Sequence, residues 1–259
     1  MDLELKGKTA LITGGSRGIG RAVAQALASE GCNVVLTSRN ADELAKAKAD
    51  IGKQAGVTVR TVAADLADSA TVGRLSKEFP EIDILVNNAG AIPGGALGDV
   101  DDAKWRTAWD LKVFGTINMT RSFYASMKTR GGGVIVNVIG NGAQTRDPDY
   151  ICGVTANAGL TAFTESLGSR SLRDGIRVVG VSPGPVATGR LIGLVEKRAQ
   201  EKFGDAARWP ELFSNVPGGR VGKPEEIAAM VAFLVSPRSN YTSGAVITLD
   251  AGVSSRGGL

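Results

Sequence analysis

Apolar residues fall along this chain in two patterns that alternate. Short runs that are apolar nearly throughout occur at Thr9–Thr13, Asn33–Thr37, Val57–Val62, Ile84–Val86, Val134–Val138, Val178–Val181 and Ala245–Leu249. Runs of this length without a polar face predict strands covered on both sides, as in a parallel sheet. Between them lie longer segments with helical spacing, at Arg21–Ser29, Ala41–Ala55, Asp68–Glu78, Ala103–Thr129, Gly153–Arg173 and Glu225–Val235. Alternation of strand and helix implies right-handed crossovers and a doubly wound α/β sheet of seven parallel strands with helices on both faces. No linker or repeat divides the chain, so one domain is expected over residues 1–259. The longest interruption, at about 188–222, carries an amphipathic piece (Leu191, Ile192, Leu194, Val195) and an apolar cluster (Phe203, Trp209, Leu212, Phe213). An insertion beyond the carboxyl end of a strand predicts a substrate lid. The other reading is a segment that packs on its own domain.

Composition narrows the choice of function. The chain is 43% hydrophobic and 22% charged, ordinary for a globular protein, and its 35 glycines suit many tight strand-to-helix turns. The 30 basic and 26 acidic residues leave a formal charge of +4. The basic residues are scattered, which fits a few of them serving a phosphorylated ligand and argues against nucleic acid. Histidine is absent. That excludes a Ser-His-Asp triad, a His proton shuttle and His-ligated metals, and no metal site is expected. Cys32 and Cys152 stand alone, with no disulfide framework. No run reaches the ~20 apolar residues of a membrane span. The opening Met1-Asp2-Leu3-Glu4-Leu5-Lys6 lacks a leader pattern. A cytoplasmic protein is expected.

The first strand runs into Thr13-Gly14-Gly15-Ser16-Arg17-Gly18-Ile19-Gly20, and a helix follows. In that setting Gly14 allows a sharp turn, Gly18 lets the backbone approach a pyrophosphate, and Gly20 lets helix and strand pack closely. The helix N-terminus then offers free N–H groups to phosphate. A plain glycine-rich turn is the alternative. The second strand ends Leu36-Thr37-Ser38-Arg39-Asn40, with no acid to hold a ribose 2′-hydroxyl. Arg39 and Arg17 would instead flank a 2′-phosphate, which favours NADP(H) over NAD(H). Solvated surface arginines are the competing reading.

These glycines stand with Asp65-Leu66, Asp83-Ile84-Leu85-Val86-Asn87-Asn88-Ala89-Gly90, Pro183-Gly184 with Thr188, and Tyr241-Thr242-Ser243-Gly244 leading to Asp250-Ala251-Gly252. With this set the sequence resembles the short-chain dehydrogenase/reductase family over nearly its whole length. The resemblance implies a Rossmann-type fold, a small-molecule substrate, and a homotetramer or homodimer built on the two long helices. It implies that Asp65 and Leu66 meet the adenine, that Asn88, Ala89 and Gly90 line the ribose, and that Pro183, Gly184, Val186 and Thr188 line the nicotinamide.

The family's chemistry uses a tyrosine, a lysine four residues later, a serine thirteen residues before the tyrosine, and an asparagine in the preceding helix. The tail Ala158-Gly159-Leu160-Thr161-Ala162 sets Asn157 at the lysine position. Gly153 then takes the tyrosine position, Gly140 the serine position and Lys112 the asparagine position. The paired glycines predict extra space beside the nicotinamide. Tyr150, three residues upstream of Gly153, is either a displaced catalytic tyrosine or a rim or subunit contact. Lys112, partly desolvated near the ring, would have a lowered pKa and act as the acid. Asn141 and Asn157 can donate hydrogen bonds in the site but cannot shuttle protons at neutral pH. A Lys112 that points away and snorkels is the alternative. Cys152, beside the tyrosine position, reads as a buried small hydrophobe, the alternative being a weak acid or reactive thiol. An oxidoreductase with a non-standard proton path, a cofactor-binding pseudoenzyme, and a non-redox enzyme on the same fold are the three functions the sequence allows.

Overall fold

A computed structural model describes residues 1–53 and 56–255. Seven strands form one sheet: β1 Thr9–Thr13, β2 Asn33–Ser38, β3 Val59–Ala63, β4 Ile84–Asn87, β5 Gly133–Val138, β6 Ile176–Pro183 and β7 Val246–Leu249. All are parallel, in the order β3-β2-β1-β4-β5-β6-β7. Successive strand residues point to opposite faces, and here both faces are apolar. In β1, Ala10 and Ile12 enter one core layer and Leu11 the other; in β4, Ile84 and Val86 oppose Leu85 in the same way.

The helices cover the two faces. Helices α1 (Gly18–Ser29), α2 (Ala41–Ile51) and α9 (Pro224–Val235) pack through Val23, Leu27, Leu44, Ile51, Ile227 and Val231 on the first layer. Helices α3 (Ser69–Glu78) and α5 (Gly115–Thr129) pack through Val72, Leu75, Met119, Phe123 and Met127 on the second. Phe123 is fully buried, and burying a side chain of that size contributes about 1.5–3 kcal/mol. Asn40 caps α2 and Asp68 caps α3, each accepting backbone N–H groups of the first turn.

The structure differs from the sequence reading at several boundaries. The helix expected over Ala103–Thr129 is interrupted: α4 (Asp102–Trp109) passes through a π-helical turn, Asp110–Phe114, before α5 begins. Helix α7 starts at Ile151, two residues earlier than expected, and runs to Ser171. A one-turn helix, α6 (Gly142–Thr145), precedes it. Helix α2 ends at Ile51; the expected end at Ala55 lies outside the described residues. The segment after Thr188 holds α8 (Gly189–Phe203) and a 3₁₀ stretch, Ala206–Phe213, in which Trp209 and Phe213 meet edge-on at 6.1 Å. It leaves and returns at one point, because Val186 and Gly222 form a parallel bridge. Among the described residues, no helix is long and apolar enough to cross a membrane.

Candidate active site

The strand order reverses between β1 and β4, so a crevice opens at their carboxyl ends. The glycine turn lies there. Gly14 has φ +63°, a conformation that side chains other than glycine's rarely adopt. A Cβ at Gly20 would lie 2.3 Å from Gly14 O and 2.5 Å from Asn88 Nδ2. The turn is clamped from β4: Asn88 Nδ2 donates to Thr13 O at 2.9 Å, and the Asn88 and Ala89 N–H groups donate to Thr13 Oγ1 at 2.8 and 2.9 Å. Helix α1 starts after Arg17 with no side-chain cap, which leaves its first-turn N–H groups open toward the crevice. Ile19 lies in that turn and packs its side chain on the first core layer.

Around this turn the other expected cofactor residues take definite places. Ser16 Oγ donates to Glu43 at 3.2 Å, and Arg17 pairs with the same carboxylate at 3.4 Å. Arg39, at the tip of β2, makes no hydrogen bond or ion pair with a described residue. Asp65 accepts the Ala67 N–H at 3.1 Å, and Leu66 is buried beside it. Across the crevice Pro183 and Val186 are buried. Gly184 lies so close to Asp250 that a Cβ would meet its Cβ at 2.7 Å. Thr188 caps α8, and its methyl faces Gly18 at 3.2 Å from where that residue's Cβ would be.

Deeper in the crevice the structure brings Lys112, Asn157 and Tyr150 together. The π-helical turn presents Lys112 inward, over Gly90, where a Cβ would meet Lys112 Cδ at 3.2 Å. Lys112 Nζ donates to Asn157 Oδ1 at 2.6 Å and to Ile139 O at 2.7 Å. Both acceptors are neutral. Burial, together with the Arg190 guanidinium nearby, pulls the Lys112 ammonium down to about 8, with Cys152 opposing slightly. Asn157 is only 2% exposed. Its amide occupies room left by Gly140 and Gly142, where Cβ atoms would lie 3.1 and 2.8 Å from Asn157 Nδ2.

Tyr150 stands at the start of α7, and its ring folds back across Gly153. A Cβ at Gly153 would lie 2.0 Å from the ring and 2.6 Å from the hydroxyl oxygen. The space expected beside the paired glycines is therefore filled, by Tyr150 and Asn157. The Tyr150 hydroxyl makes no hydrogen bond with a described residue, and burial raises its pKa. A third apolar cluster supports this corner, with Cys152 and Ala156 buried against Ile92, Val100, Ala108 and Val113, and Trp109 Nε1 donating to Cys152 O at 3.4 Å.

A family model described as enoyl-(acyl carrier protein) reductase matches residues 14–254. The chain is 30% identical over 249 residues to the 3-oxoacyl-(acyl-carrier-protein) reductase FabG of Haemophilus influenzae, covering 96% of this chain and 99% of that one. It belongs to the short-chain dehydrogenase/reductase family. A galactitol 2-dehydrogenase of Cereibacter sphaeroides is 33% identical over 257 residues, with 96% and 95% coverage. The L-sorbose reductase of Gluconobacter frateurii, solved with NADPH and L-sorbose, superimposes with a TM-score of 0.93 at 31% identity, covering 99% of this chain and all of that one. The seven-stranded parallel Rossmann-type sheet is thus that of the family.

Two residues of this short-chain dehydrogenase/reductase escaped the sequence reading. Glu43 holds Ser16 and Arg17; the signal is its place three residues after the Asn40 cap, which aims it back at the glycine turn. Arg190, in the first turn of α8, donates to Ile92 O and faces the Lys112 corner. Its signal is a cation at a helix start, where the helix dipole disfavours one. Asn141, weighed as a donor in the site, is instead engaged with Asp250 at 3.2 Å.

Proposed function

We propose that this protein is an NADP(H)-dependent oxidoreductase that interconverts a carbonyl and an alcohol on a small molecule, with a proton path rebuilt on Lys112, Asn157 and Tyr150. The observation that carries the reading is the part-buried Lys112 ammonium, bonded to Asn157 and Ile139 without a counter-ion. In this reading Lys112, Gly140, Gly153 and Asn157 stand where the family's asparagine, serine, tyrosine and lysine usually stand.

The crevice suits the dinucleotide because Gly18 leaves it open: a Cβ there would close on the Thr188 methyl across it at 3.2 Å. Gly14, Ser16, Arg17, Gly18, Ile19 and Gly20 would hold the pyrophosphate against the uncapped start of α1. Asp65 and Leu66 would meet the adenine; Asn88, Ala89 and Gly90 the ribose; Pro183, Gly184, Val186 and Thr188 the nicotinamide. Arg39 is unpaired and suits a 2′-phosphate. Arg17 can join it cheaply, because its Glu43 pair is long and Arg17 is 78% exposed; such pairs are worth about 0–1 kcal/mol.

NADP(H) held by these residues would supply hydride exchange at the carbonyl carbon. Lys112 gives its proton to the carbonyl oxygen, or accepts it in the reverse direction. Asn157 fixes the ammonium, and the free Tyr150 hydroxyl donates to the same oxygen. The segment of about 188–222 serves as the substrate lid of a single domain. Phe114, just before α5, and Leu172, just past α7, are each 51% exposed and favour a homodimer or homotetramer built on those two helices.

Titration with NADPH and NADH, followed by nicotinamide fluorescence, tests the reading. NADPH should bind roughly tenfold tighter or more, and NADPH should be consumed with members of a carbonyl panel. Binding of neither nucleotide overturns the proposal. Tight binding without turnover makes this a cofactor-binding protein without redox activity.

A further inference from the structure

We infer that the substrate carries a carboxylate, held by Arg190 at the mouth of the Lys112 corner. The inference rests on the proposed reading of that corner as the carbonyl site. Arg190 lies in the first turn of α8, where a cation runs against the helix dipole, so the helix itself does not favour it. Its guanidinium donates to the backbone oxygen of Ile92 and forms no ion pair with a described residue, so other N–H groups remain for a ligand. Ile92 lies two residues past Gly90, on which the Lys112 stem packs. Arg190 and Lys112 therefore flank one stretch of backbone.

No carboxylate balances them. Lys112 has only neutral acceptors. The groups whose charge reaches Lys112 are Arg190 and the Cys152 thiol, and the same two reach Tyr150. Of the acids on the neighbouring loops, Asp99 accepts the Ala96 N–H and Asp147 the Asp149 N–H, and neither they nor Asp149 forms an ion pair with Arg190 or Lys112. Two cations, Lys112 half-buried and Arg190 exposed at the mouth, with no ion pair to a described acid, raise the potential for an anion. A carboxylate suits the planar fork of the arginine, which can donate two parallel hydrogen bonds to it. A neutral substrate would leave the two cations to repel each other unrelieved.

The test is calorimetric titration of the NADP⁺-loaded protein with acetoacetate and 2-oxobutyrate, each against its methyl ester. Wild type, Arg190→Met and Arg190→Lys are compared, and the Kd for NADPH is measured for each. Acids should bind roughly tenfold tighter than esters or better, the worth of one charge-assisted hydrogen-bond pair. Arg190→Met should erase that preference, Arg190→Lys should keep part of it, and NADPH binding should be unchanged in both. Equal binding of acids and esters overturns the inference. So does a preference that survives Arg190→Met while NADPH weakens, which would assign the arginine to the cofactor. If wild type binds neither NADPH nor NADH, the carbonyl-site reading fails; the acid and ester comparison on cofactor-free protein still decides for or against an anion site at Arg190.

Discussion

At Gly153 one added methyl would overlap the Tyr150 ring, and at Gly140 and Gly142 it would press on the Asn157 amide. Three glycines thus make room for two larger side chains that come from other positions. Gly153→Ala should destabilise the fold by about 1–3 kcal/mol, the usual cost of overpacking. Adding Tyr150→Ala should recover part of that loss, because the clash is with the ring; a thermal double-mutant cycle measures it. The four residue identities were legible in the sequence, since they are read one at a time against a motif. Their contact was not, because Tyr150 reaches over Gly153 only through a turn conformation that no local pattern specifies. Lys112→Met should lower turnover by about 10²–10⁴-fold, the typical value of a positioned proton donor, with folding retained by circular dichroism.

Most strands were legible to within about a residue because they are apolar on both faces, β1 at its observed bounds; β3 begins two residues later than expected, and β6 extends two residues further at each end. Helix α1 and its glycine turn were legible for the same reason, the motif being local. Within that turn Gly20 has little tolerance: a Cβ there meets Gly14 O and Asn88 Nδ2 within 2.5 Å. Gly20→Ala should therefore both lower the melting temperature and weaken NADPH binding, read by thermal melts and fluorescence titration. The π-helical turn was not legible. Trp109-Asp110-Leu111-Lys112-Val113 has ordinary helical spacing, and the extra residue in the turn is set by packing. That turn redirects Lys112, so the candidate acid was visible by identity while its reach depended on tertiary structure.

For the whole molecule, the reversal of strand order brings the ends of β1, β4, β5 and β6 around one crevice, so residues as distant as Gly14, Lys112, Asn157 and Thr188 meet there. Strand–helix alternation made this topology legible. The same sheet is held at its far end by Arg177, buried in β6, which donates to Leu234 O at 2.7 Å and Ser236 O at 3.0 Å. Arg177→Met removes the donor to Leu234 O, while Ser236 O keeps the Ser239 N–H at 3.1 Å; it should cost about 1–3 kcal/mol, seen as a lower denaturation midpoint with cofactor affinity unchanged.

If Lys112 carries the proton, its pKa of about 8 fixes the sign of the pH dependence. Below that value the amine is protonated and can supply the proton for carbonyl reduction; above it the amine is neutral and can accept one in alcohol oxidation. The decisive measurement is kcat/KM against pH, in both directions, for wild type and Lys112→Met. In wild type, reduction should stay level at low pH and fall as pH rises through about 8, while oxidation rises through the same region; in Lys112→Met both breaks should vanish and the rates drop. A wild-type profile without a break near 8, or one that Lys112→Met leaves unchanged, would contradict the account.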